Sequence, residues 1–244
     1  MRDASGFATQ WAGMVALVRL QGAHSPGARL IEADGMVASL MPVAPASSIM
    51  NCALAVDPAE PPSGLDRLAD AFNQGGAQKW GLWVDGDDER AAEAARRQGM
   101  MLDSRPAPMI ARLDDLPFDD APPRTQPDLQ TAGRVNDLAY GYTQPKMAPA
   151  IAALPDSVLT YGDDSSVAMA YDIGDDTAVW FVATLPQAQR QGRAGKLLRR
   201  LLLDARGRGQ RTSSLQGSPA GQPLYERLGY RTVGSLHLYE QPLS

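Results

Sequence analysis

The sequence predicts a mixed α/β protein of two tandem halves, each a central mixed sheet flanked by helices. Two observations carry this. β-rich apolar runs alternate with runs of helical period, and the order strand, helix, strand, helix, strand occurs twice at an offset of about 125 residues. Between the two copies stands "LDDLPFDDAPPRTQPDL", Leu113 to Leu129, where four prolines and five aspartates break any period. A length of 244 residues suits two modest domains, each able to bury a core. The expected division is a first domain over 1–116, a linker over 117–127 and a second domain over 128–244.

In the first half, Trp11 to Leu20 is apolar but too short to span a bilayer, and it reads as a helix. "SIMNCALAV" follows as strand, "SGLDRLADAFNQGG" as helix, "QKWGLWVDG" as strand, "DERAAEAARRQGM" as helix and "LDSRPAPMIARLDD" as closing strand. Trp80 and Trp83 alternate in a strand pattern and read as core, as does Cys52 inside its apolar run.

In the second half, "LQTAGRVNDLAYGY" is helical, with Leu129, Ala132, Val135, Leu138 and Ala139 sharing a face, and a short helix follows over 148–154. Three β-rich runs parted by "GDD" at Gly162 and Gly174 predict an antiparallel meander. Its third run, Ala178 to Leu185, is almost wholly apolar and should be central, covered on both faces. A helix follows in which Leu197, Leu198, Leu201, Leu202 and Ala205 form a stripe while Arg199, Arg200 and Arg206 face away. The strand "RTSSLQGS", the helix "GQPLYERLGY" and a closing strand or pair, "RTVGSLHLYEQP", complete the half.

Composition narrows the function classes. Hydrophobic residues at 44% and charged residues at 21% are ordinary for a globular domain, and the net charge of −5 argues against nucleic acid as the main partner. No run reaches the roughly 20 apolar residues of a membrane span, so no membrane partner is expected. Cys52 is the one cysteine, so no intrachain disulfide can form, which fits a reducing cytoplasm. His24 and His237 are the two histidines and lie in different halves, which argues against a histidine-built metal site or triad.

The most informative stretch is "QRQGRAGKLL", Gln189 to Leu198, between the apolar strand and the leucine-striped helix. A strand, a glycine-containing loop and a helix N-terminus leave several backbone N–H groups facing one concavity, which is an anion site. Gly192 lets phosphate oxygens come close, and Arg190, Arg193 and Lys196 add positive charge. The P-loop pattern fails, because Arg190 stands where its first glycine belongs and Leu197 where its hydroxyl belongs. A GxGxxG fingerprint fails as well. The pattern that fits is (Gln or Arg)xxGx(Gly or Ala), filled by Gln189, Gly192 and Ala194.

With "VATLPQAQRQGRAGKLLRRLL", with "PLYERLGY" at Pro223 to Tyr230, and with a meander before both, the stretch from Ala178 to Pro242 resembles the core of the GNAT acetyltransferase superfamily. The resemblance implies a function: N-acetyl transfer from acetyl-CoA, as co-substrate and without a metal, to a small-molecule or peptide amine. It also implies sites. Val182, Ala183 and Thr184 would splay from the neighbouring strand and hold the pantetheine arm and thioester, while amides of Gln189, Arg190, Gln191, Gly192, Arg193, Ala194, Gly195 and Lys196 would hold the pyrophosphate. Tyr225 would be the general acid to the departing thiolate. The base stays unassigned, with Asp172, His237 and a chain of waters as candidates. A non-catalytic acyl-CoA-binding or regulatory module is the alternative function, and O-acetyl or longer-chain acyl transfer stays open on the same fold.

The first half resembles a degenerate copy. Its strand-to-helix loop carries the acidic "AEPPS" with no glycine cradle, and its later helix lacks a match to Tyr225. Exposed sheet edges leave room for a homodimer.

Overall fold

The computed structural model describes residues 2–241; Met1 and residues 242–244, including Pro242 at the end of the family-like stretch, lie outside the described residues. The first helix, α1 (Ala4–His24), starts where the Asp3 carboxylate accepts from the Gly6 amide at 3.0 Å. Its apolar residues Phe7, Trp11, Met14, Val15 and Val18 pack with residues from both halves, among them Val37, Leu54, Ile110 and Val233. The helix therefore lies between two sheets, which explains why it is apolar over most of its surface.

The chain next forms a hairpin of β1 (Arg29–Ala33) and β2 (Met36–Leu40). This hairpin is absent from the sequence reading. Then come β3 (Cys52–Ala55), α2 (Leu65–Gln74), β4 (Gly81–Asp85) and α3 (Glu89–Arg97), in the expected order. The expected single closing strand is two strands, β5 (Met101–Ser104) and β6 (Ala107–Arg112), parted at Pro106, which has no N–H to give a ladder.

The second half holds α4 (Leu129–Ala139), α5 (Met147–Ile151), the meander β7 (Val158–Gly162), β8 (Ser166–Ile173) and β9 (Asp176–Thr184), then α6 (Arg193–Gly207) and β10 (Thr212–Gly217). It closes with α7 (Gln222–Arg227), β11 (Arg231–Thr232) and β12 (Leu236–Glu240). The β7–β8 turn depends on Gly162, whose φ is 114° and where an added Cβ would fall 1.9 Å from the Ser166 carbonyl oxygen.

Among the described residues these strands make two six-stranded mixed sheets, ordered β1-β2-β3-β4-β12-β5 and β7-β8-β9-β10-β6-β11. The two orders match, chain position for chain position, with one exchange. β6, from the first half, pairs antiparallel with β10 and β11 in the second sheet, and β12, from the second half, pairs antiparallel with β4 and β5 in the first. Each sheet has one parallel contact, β3 with β4 and β9 with β10. The fold is consistent with two GNAT-like halves.

β9 is central and covered on both faces, as its composition predicts. One face packs Val179 and Ala168 under the α6 leucines, with Leu198, Leu201, Leu202 and Ala205 fully buried. The other packs Trp180 and Met169 under Val135 of α4 and Ile151 of α5. The α6 arginines lie off the leucine stripe: Arg199 pairs with Asp120 and Arg200 with Asp204.

Candidate functional site

The site grows from the way β9 leaves its neighbours. β9 and β10 pair only over Asp176–Ala178 and Thr212–Ser214, although both continue, to Thr184 and Gly217. Beyond Ala178 they diverge into a wedge. On the other edge the β8 register shifts between Val167, opposite Ala183, and Met169, opposite Trp180. Phe181 and Val182 thus stand as a bulge opposite Ala168, with Phe181 at φ 51°. A bulge takes backbone groups out of the ladder and re-aims them. Val182, Ala183 and Thr184 therefore lie on a stretch of β9 that β10 does not pair.

β9 runs into a short 3-10 turn, Pro186–Ala188, and the loop to α6. Gly192 caps the helix at φ 74°, a conformation in which a side chain is strained, with nothing within 4 Å of a Cβ added there. Arg190 is also left-handed, at φ 59°. The amides of Arg190, Gln191 and Gly192 donate to no backbone acceptor among the described residues, and the first bond into the helix is from Lys196 N–H to the Gly192 carbonyl at 3.0 Å. The first-turn amides of Arg193, Ala194 and Gly195 have no i−4 partner inside the helix. No side chain caps this end. The result is a concave run of N–H groups at the positive end of a 15-residue helix dipole.

Side chains brace the loop from outside. The Gln189 side-chain amide donates to the Thr184 carbonyl at 3.2 Å, and that of Gln191 to the Gln187 carbonyl at 2.9 Å. The Arg193 guanidinium donates to Ser165 Oγ at 2.8 Å and to Asp163 Oδ2 at 3.2 Å, so it turns toward the β7–β8 turn. Beside the loop a surface pocket of about 430 Å³ is walled by Lys196 and Arg200 of α6, by Tyr161, and by Pro122, Pro123 and Thr125, which precede α4.

Tyr225 stands on α7, 7% exposed, its ring edge-on to Tyr230 with centroids 6.0 Å apart. Gly217 and Gly221 flank that ring closely: a Cβ on either would sit 3.3 Å and 2.8 Å from it. Burial first, and then repulsion between ionised forms of Tyr225 and the nearby Tyr140, push the Tyr225 hydroxyl up to about 12, so it keeps its proton at neutral pH. Tyr140 is well exposed and stacks on Tyr142, whose ring carries Lys146 Nζ 4.3 Å from its centroid.

The structure separates both side chains considered as bases from this region. Asp172 is in register with Thr177, at the opposite end of β9 from the bulge, and is held by Arg208 at 2.7 and 2.9 Å. Burial would raise its carboxyl, but the Arg208 and Thr177 hydrogen bonds outweigh this and hold it low. His237 lies on β12 in the other sheet, opposite Val84. Asp137, near the α4–α5 loop, accepts from the amides of Lys146, Met147 and Ala148 and is buried as a structural brace. The Tyr140–Tyr142 pair has no sequence signal beyond the letters "YGY", and the bulge has none, because it is a property of register.

A cradle of free amides suits a phosphate, and a wedge edged by unpaired strand suits a narrow arm carrying amides and a carbonyl. Residues 157–232 match the model of a family described as "Acetyltransferase (GNAT) domain". A GCN5-related N-acetyltransferase from Kribbella flavida is similar in structure, with a TM-score of 0.66 at 20% identity over 96% of each chain. Another from Sphaerobacter thermophilus gives 0.60 at 13% identity, over 84% of this chain and 76% of that one. A conserved protein of unknown function from Staphylococcus epidermidis also gives 0.60, at 12% identity over 89% and 95%. No curated protein sequence matches the chain. No helix of the described residues is long and apolar enough to cross a membrane.

Proposed function

We propose that this chain, whose residues 157–232 form a GNAT acetyltransferase domain, is an N-acetyltransferase that takes its acetyl group from acetyl-CoA and gives it to an amine by direct attack. The observation that carries the reading is the pairing of a splayed β9–β10 wedge with a run of unbonded amides at the α6 N-terminus. Acetyl-CoA supplies an acetyl thioester. Gln189, Arg190, Gln191, Gly192, Arg193, Ala194, Gly195 and Lys196 form the cradle for its pyrophosphate, chiefly by backbone N–H groups. Lys196 and Arg200 give the adjoining pocket a wall that tolerates the nucleotide's charge.

Val182, Ala183 and Thr184 offer strand backbone to the pantetheine arm. A fixed amide at the Phe181–Val182 bulge is available to the thioester oxygen as negative charge builds there, which lowers a barrier by about 3 kcal/mol in comparable sites. Tyr225, protonated at neutral pH, gives its proton to the departing thiolate. The carboxylate on β9, Asp176, is buried and accepts from the Thr212 and Ser214 hydroxyls, so the amine reacts as its free base and its proton leaves to solvent.

The first half is, in this reading, a GNAT-like repeat without a cradle. It repeats the strand order of the second sheet, but β3 and β4 end almost together and leave no wedge, and its loop carries "AEPPS". The test is a panel of small amines and peptide amino termini incubated with the purified full chain and acetyl-CoA, with release of free thiol followed. Amine-dependent release is expected. Tight acetyl-CoA binding with no release for any amine would instead favour a binding or regulatory module.

A further inference from the structure

At the apex of the wedge is a crevice of about 10 Å³, bounded by Val179 and Trp180 of β9, Leu215 of β10, and Gln10, Gly13 and Leu17 of α1. That is room for a single water molecule. Two polar side chains bordering it are buried and have no hydrogen-bond partner among the described residues. They are Gln10, 1% exposed, with both atoms of its amide, and Trp180, 5% exposed, with its indole N–H. Buried polar groups are nearly always bonded, and leaving them unpaired is costly. The wall cannot easily retreat. α1 seats so closely that a Cβ on Gly13 would lie 3.2 Å from the Ala178 Cβ and 3.3 Å from Ser214 Oγ.

We infer that this crevice is the end wall of the acyl pocket, where Gln10 and Trp180 bind one water and thereby limit the acyl group to two carbons. The inference rests on the acyl-transfer reading. The crevice borders the residues just before the Phe181–Val182 bulge, so carbons added beyond acetyl run from the thioester into it. A hydrocarbon chain that displaces the water cannot replace its bonds to the Gln10 amide and the Trp180 N–H. Acyl selectivity is then set by a helix of the first half, which gives that half a role in the chemistry of the second.

The test is calorimetric titration of the full chain with CoA, acetyl-CoA, propionyl-CoA and butyryl-CoA, free CoA being the internal reference for each protein. The wild type is expected to bind acetyl-CoA about tenfold or more tightly than butyryl-CoA, the cost of leaving a buried polar group unpaired. Gln10→Ala should shrink or reverse that ratio. Trp180→Phe, which removes the N–H together with the five-membered ring and keeps an aromatic side chain, should move it the same way even where Gln10→Ala fails to fold. Equal wild-type affinities for acetyl- and butyryl-CoA, or an unchanged ratio in folded variants, would overturn the inference. Failure of any CoA ester to bind would remove the acyl-transfer reading and this inference with it.

Discussion

Tyr225 carries the sharpest chemical prediction at the scale of single residues. Its ring is wedged between Gly217 and Gly221 and its hydroxyl is pushed up to about 12 by burial and by Tyr140. Removing the hydroxyl as Tyr225→Phe keeps the packing. Loss of a general acid should lower kcat about a hundredfold or more, with little change in acetyl-CoA affinity. The pH profile gives a second readout. The acid works only while protonated, so activity falls as pH rises through its pKa. Because that pKa is raised, the alkaline fall assigned to Tyr225 should lie well above about pH 10, the ordinary phenol value. An unchanged kcat in the variant would remove Tyr225 from the mechanism. "PLYERLGY" made this residue legible, whereas Gln10 and Trp180 were not. A glutamine in "TQWAGMVALV" becomes a buried polar group only when α1 is seen between two sheets.

For the elements, periodicity was a good guide wherever one face of an element settles its neighbours. The almost wholly apolar run 178–185 became a central strand, and the leucine stripe of α6 became the lid over it. Leu201 is fully buried in that contact, so Leu201→Ala should destabilise the chain by about 2–5 kcal/mol, read as a shift in urea midpoint. A loss below 0.5 kcal/mol, about the size of a surface substitution, would contradict the packing described. Less was legible where backbone conformation decides. The β1–β2 hairpin turns on Asp34 and Gly35, both at positive φ, a turn chemistry that an Asp-Gly pair announces but hydrophobic runs do not. The division of the expected 102–115 strand follows from Pro106, which an apolar count passes over.

At the level of the whole molecule, the exchange of β6 and β12 is the feature the sequence could not disclose, because strand composition says what a strand packs against and not which sheet receives it. Residues 117–127 lie between β6 and α4, and each sheet holds one strand from the far side of that segment, with α1 packed against both sheets. The halves are thereby fixed together, and the wedge of the second sheet keeps a wall from the first. The central claim is that the cradle around Gly192 seats the pyrophosphate of acetyl-CoA. Its most direct test is calorimetric titration of acetyl-CoA into the full chain and into Gly192→Asp, which sets a carboxylate before the free amides, with Gly192→Ala as control for the strain of a side chain at φ 74°. The account predicts a saturable one-site isotherm for the wild type, a modest weakening for Gly192→Ala and loss of binding for a folded Gly192→Asp. Undiminished binding by Gly192→Asp would contradict it.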